Sequence, residues 1–76
     1  MRILIVEDER SLRDGLVALL AKRGFAVEAV ADGAAGLERG SASDIEFVLL
    51  DLSLPRLDGV EVCRRLRMAR PALPIL

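Results

Sequence analysis

Seventy-six residues hold twelve Asp and Glu against eleven Lys and Arg, a formal charge of -1, with no His, Trp or Tyr and one Cys. No His-based triad, imidazole base or His-ligated metal can be built from that set, and Cys63 alone makes neither an internal disulfide nor a CxxC zinc site. Near-neutral charge also removes the footprint with which a segment grips nucleic acid through its phosphates, so any DNA binding has to come from elsewhere.

The chain is 53% hydrophobic, with Phe25 and Phe47 its only aromatics, so it is too apolar for disorder and its core must be aliphatic. Its longest apolar run, Leu16 to Ala21, is too short to span a bilayer, and the start Met1-Arg2-Ile3-Leu4-Ile5-Val6 meets Glu7-Asp8-Glu9 too soon for a secretory signal. A soluble, cytoplasmic protein without membrane partners is expected. The length is short for a domain, since domains cluster at about 100–150 residues.

Ile3-Leu4-Ile5-Val6 is apolar without alternation, the pattern of a strand buried on both faces as in a parallel sheet. Ser11 with Asp14 resembles a capping box, Leu12, Leu16, Leu19 and Leu20 follow at helical spacing, and Gly24 supplies the stop after Lys22-Arg23. These signals predict a first helix over about residues 10–23. Phe25 to Val30 predicts a second strand, and Asp32 caps a short helix through Leu37 that Gly40 ends. Phe47-Val48-Leu49-Leu50 is a further buried strand, terminating in Asp51. Pro55 and Gly59 punctuate the next loop. Asp58 with Glu61 forms another capping box, and Val62 and Leu66 mark the buried stripe of a third helix ending before Pro71. Leu73 to Leu76 begins a fourth strand. This β-α-β-α-β-α-β alternation predicts an α/β fold, a doubly wound parallel sheet with right-handed crossovers and helices on both faces.

Two buried strands that end in acid are the central feature. Ligands of open α/β sheets sit beyond the carboxyl ends of strands where strand order reverses. If the first and third strands are neighbours there, Glu7, Asp8 and Asp51 share one pocket, where their repulsion raises at least one pKa unless a cation is present. Mg2+ suits such a site, because it takes oxygen ligands, keeps several waters and is commonly held by one or two carboxylates plus phosphate oxygens. Acids at strand ends are more often solvated turn residues or helix caps. That account suffices for Glu9 but not for Asp51, which is followed by Leu52-Ser53-Leu54-Pro55 with no immediate helix to cap.

Taken together, Ile3-Leu4-Ile5-Val6-Glu7-Asp8-Glu9, Leu49-Leu50-Asp51-Leu52-Ser53-Leu54-Pro55 and Asp58-Gly59 resemble the receiver domain of two-component response regulators, from end to end of the chain. The resemblance implies a partial flavodoxin-like (βα)5 fold. It implies that Asp51 is the phosphoacceptor, taking a phosphoryl group from a phosphohistidine on a sensor histidine kinase, with no turnover of an external substrate. It further implies that Asp8 and Asp51 ligate Mg2+ directly, that the Ser53 backbone carbonyl is a third ligand, and that Glu7 acts through water. A carboxylate needs no general base as a nucleophile, so the absence of His is no obstacle. Pro55 is expected to stiffen the loop and Gly59 to permit tight entry into the third helix. Ser53 is expected to border the acyl phosphate, and Cys63 is assigned no role. Exposed Arg10, Arg13 and Asp14 of the first helix are candidates for kinase contact.

A whole receiver places a Ser or Thr after its fourth strand and a Lys after its fifth. The only lysine here, Lys22, lies near the end of the first helix. Residues 1–76 are therefore expected to be a receiver domain incomplete at its C-terminal side, which folds poorly alone or pairs with a second copy or a complementary chain across the fourth-strand edge. The output, expected to be transcription regulation, would lie in a DNA-binding domain elsewhere. A receiver-like docking module without phosphotransfer is the alternative. A haloacid-dehalogenase-like phosphatase with an Asp nucleophile is disfavoured, because Arg10 and Ser53 stand where its second acid would be needed.

Overall fold

In the computed structural model, which describes residues 1–54 and 56–76, the continuous apolar runs become the strands of a parallel sheet. β1 (Arg2–Val6) lies between β2 (Ala26–Val30) and β3 (Phe47–Leu50), in the order β2-β1-β3. Ile3 stands opposite Val27 and Phe47, and Val6 opposite Val30 and Leu50. Three helices connect the strands or follow them: α1 (Arg10–Lys22), α2 (Gly33–Gly40) and α3 (Gly59–Ala69). Pro55, expected to stiffen the loop before α3, lies outside the described residues.

Side-chain alternation along the strands sorts the core into two faces. Leu4, Val6 and Val48 point to the side where Val62 and Leu66 of α3 and Leu37 of α2 pack, and this cluster is closed. Ile3 and Ile5 are buried on the opposite face, where Leu16 and Leu20 of α1 lie beside them. Helices thus cover both faces, as predicted. α2 approaches closely because its inner surface is glycine: a Cβ on Gly36 would lie 2.8 Å from a Val6 methyl.

Several boundaries differ from the sequence expectation, each for a local reason. The cap of α1 is Glu9, whose carboxylate accepts from the amides of Ser11 (3.1 Å) and Leu12 (2.7 Å), so Ser11 is already helical. Gly24 adopts φ +92, and the Phe25 amide still donates to the Leu20 carbonyl, which delays β2 to Ala26. α2 runs on through Gly40, because that glycine packs under Leu66 instead of breaking the helix. Asp58 caps α3 through the Val60 amide, but Glu61 does not complete a box: Arg64 and then Arg65 bind its carboxylate and hold it down to about 2. Leu12 and Leu19 are about half exposed, so the buried stripe of α1 is narrower than its leucines suggest. The expected fourth strand is a single parallel bridge, Ile75 to Val48, supported by bonds from Leu76 N to Val48 O and from Leu50 N to Leu76 O.

Candidate metal and phosphoryl site

The register brings the acids together. Asp51 N donates to Val6 O at 3.0 Å, which carries the β1–β3 ladder one residue past the strands, while Glu7 N donates to Val30 O on the other side. Glu7 and Asp51 therefore leave the sheet side by side, with Asp8 next in line. Carboxylate oxygens of Glu7, Asp8 and Asp51 all lie within 4.8 Å of one another. Glu7 is buried, Asp51 half-buried and Asp8 exposed, so the cluster grades from the protein interior to solvent.

Each acid is oriented by neighbouring backbone. The Glu9 amide donates to Glu7 Oε2 at 3.0 Å, and the Ser53 amide donates to Asp51 Oδ1 at 3.0 Å. The Glu9 amide pulls the Glu7 pKa down, but burial, the Asp51 charge and hydrogen bonds shared with Asp8 and Asp51 together outweigh it, so the carboxyl sits above its ordinary value. Beside Glu7 and Asp51 opens a cleft of about 250 Å3, floored by Ile5, Leu16, Leu49 and Leu76.

The loop after Asp51 is held against α3 by Gly59. A Cβ there would stand 2.4 Å from both the Asp51 carbonyl oxygen and Leu52 Cα, so close backbone approach is what requires this glycine. Gly33 does the same for the end of the loop, with the Leu57 carbonyl oxygen 1.9 Å from where its Cβ would be.

The sequence offers Arg13, with Arg10 and Asp14, as an exposed α1 residue and a candidate for kinase contact. Its half-buried side chain instead turns back, and its guanidinium donates to the Glu7 carbonyl at 3.1 Å and the Asp8 carbonyl at 3.4 Å. The signal that could have found it is its position one turn beyond the cap, because helical side chains lean toward the N-terminus. Arg10 and Asp14 remain exposed, 3.7 Å apart. Cys63 is half-buried on α3.

The response regulator receiver domain profile matches residues 3–76. The chain belongs to the response regulator receiver domain family. It is 43% identical over 76 residues to response regulator MprA of Mycobacterium avium (strain 104), matching all of this chain and 33% of that protein. The chain thus spans about a third of the length of the curated relatives it matches.

Among solved structures, the receiver domain of sensor histidine kinase PA1611 from Pseudomonas aeruginosa PAO1, which has a magnesium ion coordinated in its active-site cleft, superposes with a TM-score of 0.92. Its identity is 32%, over 97% of this chain and 62% of that one. A chain from the complex of histidine kinase ThkA with response regulator TrrA gives 0.90 at 28% identity, covering 97% and 64%. The fold is accordingly that of a receiver, in partial form. No helix among the described residues is long and apolar enough to cross a membrane.

Proposed function

We propose that this receiver domain accepts a phosphoryl group on Asp51 from a phosphohistidine of a sensor histidine kinase, with Mg2+ as the required cofactor. One observation carries the reading: oxygens of three acids from two adjacent strand ends lie within 4.8 Å of one another. Acids gathered this closely would hold one hard divalent ion, which commonly takes one or two carboxylates and keeps several waters. The donor set is hard oxygen only, as a hard divalent cation prefers.

The role of Asp51 follows from the bond it already makes, and those of Asp8, Ser53 and Glu7 from the receiver family. Ser53 N fixes Asp51 Oδ1, which leaves Oδ2 to attack phosphorus. The new bond is Oδ2–P and the broken bond is P–N. The imidazole leaves with the electron pair, and the product is an aspartyl phosphate. Asp8, Asp51 and the Ser53 carbonyl are read as direct ligands and Glu7 as acting through water. When bound there, Mg2+ supplies neutralisation of the charge on the transferring oxygens. Rate enhancement on this reading is positioning and charge compensation, and no base is needed.

The magnesium in the PA1611 receiver and the ThkA–TrrA complex support the cofactor and the partner class. The response regulator name of MprA, about three times the matched length, supports an output in a further domain, which we propose to be transcriptional. We read residues 1–76 as a receiver domain incomplete at its C-terminal side. The test is to treat the intact protein with acetyl phosphate and Mg2+ and measure its mass. A gain of one phosphoryl group in wild type, absent in Asp51→Asn and in EDTA, supports the assignment. Equal labelling of both proteins overturns it, and no labelling of either points to a docking module without phosphotransfer.

A further inference from the structure

We infer that Arg13 is a positioning residue of the metal site, a guanidinium strut that fixes the backbone from which Glu7 and Asp8 project; this rests on the function proposed above. The chain leaves β1 at Glu7, whose amide makes the last bond to β2, Val30 O at 3.1 Å. Beyond that bond no sheet partner among the described residues holds residues 7 and 8, yet Asp8 is exposed and its carboxylate must point at Asp51. Arg13 supplies the missing constraint. Its own amide donates to Glu9 O at 2.9 Å in the first turn of α1, and its side chain runs back along the helix. One nitrogen, NH1, then reaches the carbonyl oxygens of both residue 7 (3.1 Å) and residue 8 (3.4 Å).

The contact is to backbone only. Arg13 forms no hydrogen bond or ion pair with a carboxylate among the described residues, and both of its side-chain bonds end on backbone carbonyls. The guanidinium therefore orients the acids without neutralising them. This distinction gives the experiment a sign. A cation near a cation site opposes binding, so its removal tightens Mg2+ if charge is all that matters. Loss of a strut loosens Asp8 and weakens Mg2+.

The test is calorimetric titration of the intact protein with MgCl2, comparing wild type, Arg13→Met and Arg13→Lys. Met keeps the packed stem without the donor, and Lys keeps a charged donor at a shorter reach. Outer partners that orient metal ligands are worth about 10–100-fold in affinity, so the Mg2+ Kd of Arg13→Met is expected to rise about tenfold, with Arg13→Lys in between. Because Mg2+ demands stricter geometry than Ca2+, the Mg2+/Ca2+ affinity ratio is expected to fall as well. Unchanged or tighter Mg2+ binding by Arg13→Met, or an equal loss for both ions, overturns the inference. If Arg13→Met does not unfold cooperatively in EDTA, Arg13→Lys carries the test, and wild-type affinity in it is the overturning result. Failure of wild type itself to bind Mg2+ would instead refute the function on which the inference rests.

Discussion

Replacing Asp51 by Asn should make the protein more stable, not less, as long as no divalent cation is present. Three carboxylates with oxygens within 4.8 Å repel, and at that separation each pair costs about 0.9 kcal/mol at a water-like dielectric and about 3.5 kcal/mol at an effective value near 20. Asp8 is exposed and Asp51 half-exposed, so the lower figure applies best. Two pairs involve Asp51, which gives an expected gain of about 1–2 kcal/mol at neutral pH and low salt. Asn retains a side-chain oxygen for the Ser53 amide, so the loop keeps its bond.

The pH dependence has a fixed sign. Glu7 binds its proton more tightly folded than unfolded, so its contribution to stability is full below its ordinary value of 4.5 and is lost as pH rises through the raised one. The advantage of Asp51→Asn should therefore be small at pH 4 and grow toward pH 7. Urea unfolding of both intact proteins in EDTA at several pH values measures it. In saturating Mg2+ the order should reverse, since wild type alone gains binding energy, about 2.7 kcal/mol at a hundredfold excess over Kd. A variant equal to or weaker than wild type in EDTA at pH 7 would refute the electrostatic account.

Gly59→Ala should destabilise by about 1–3 kcal/mol, because its Cβ would meet backbone at 2.4 Å that no rotamer change can clear; urea titration checks this, and a cost below about 0.5 kcal/mol would count against it. The same variant should lose phosphorylation by acetyl phosphate, since the displaced backbone is that of Asp51. Ser53→Ala should change the lifetime of the aspartyl phosphate, followed by mass loss over time, because Ser53 sits exposed two residues after Asp51, the proposed acceptor; an unchanged half-life would dispose of that role. A polypeptide of residues 1–76 alone should associate or fold poorly, because Phe25 and Leu49 help line an apolar cleft of about 340 Å3 on the α1 side of the sheet. Light scattering that shows a compact monomer with cooperative unfolding would be the contrary result.

β1 and β3 and the acids at their ends were legible because one physical signal marks both: a continuous apolar run stops where the first charge appears. Phe47–Leu50 has the expected bounds for that reason. Details decided by side-chain reach were not legible. Glu9 outcompetes Ser11 as cap because its longer carboxylate spans two amides at once. Gly40 carries the same letter whether it ends a helix or packs one, and only the position of Leu66 decides. Periodicity puts Arg13 on a face of α1 but says nothing about its lean toward the helix start, so a charged residue that looked solvent-directed proved to hold the acidic turn.

The closeness of the three acids follows from burial elsewhere. Leu4, Ile5, Val6 and Val48 are almost wholly buried, each worth about 1.5–3 kcal/mol, and their pairing register admits no slip without turning one set of side chains to the wrong face. Against several such residues, carboxylate repulsion of about 1 kcal/mol per pair cannot move the strands. The hydrophobic register thus forces Glu7, Asp8 and Asp51 into proximity that their charges oppose, and the Glu9 and Ser53 amides fix their directions. A cation entering the site then has no reorganisation of the sheet to drive. Its binding relieves a repulsion that folding has already imposed, which is why the acids here can be both destabilising to the fold and pre-organised for a metal.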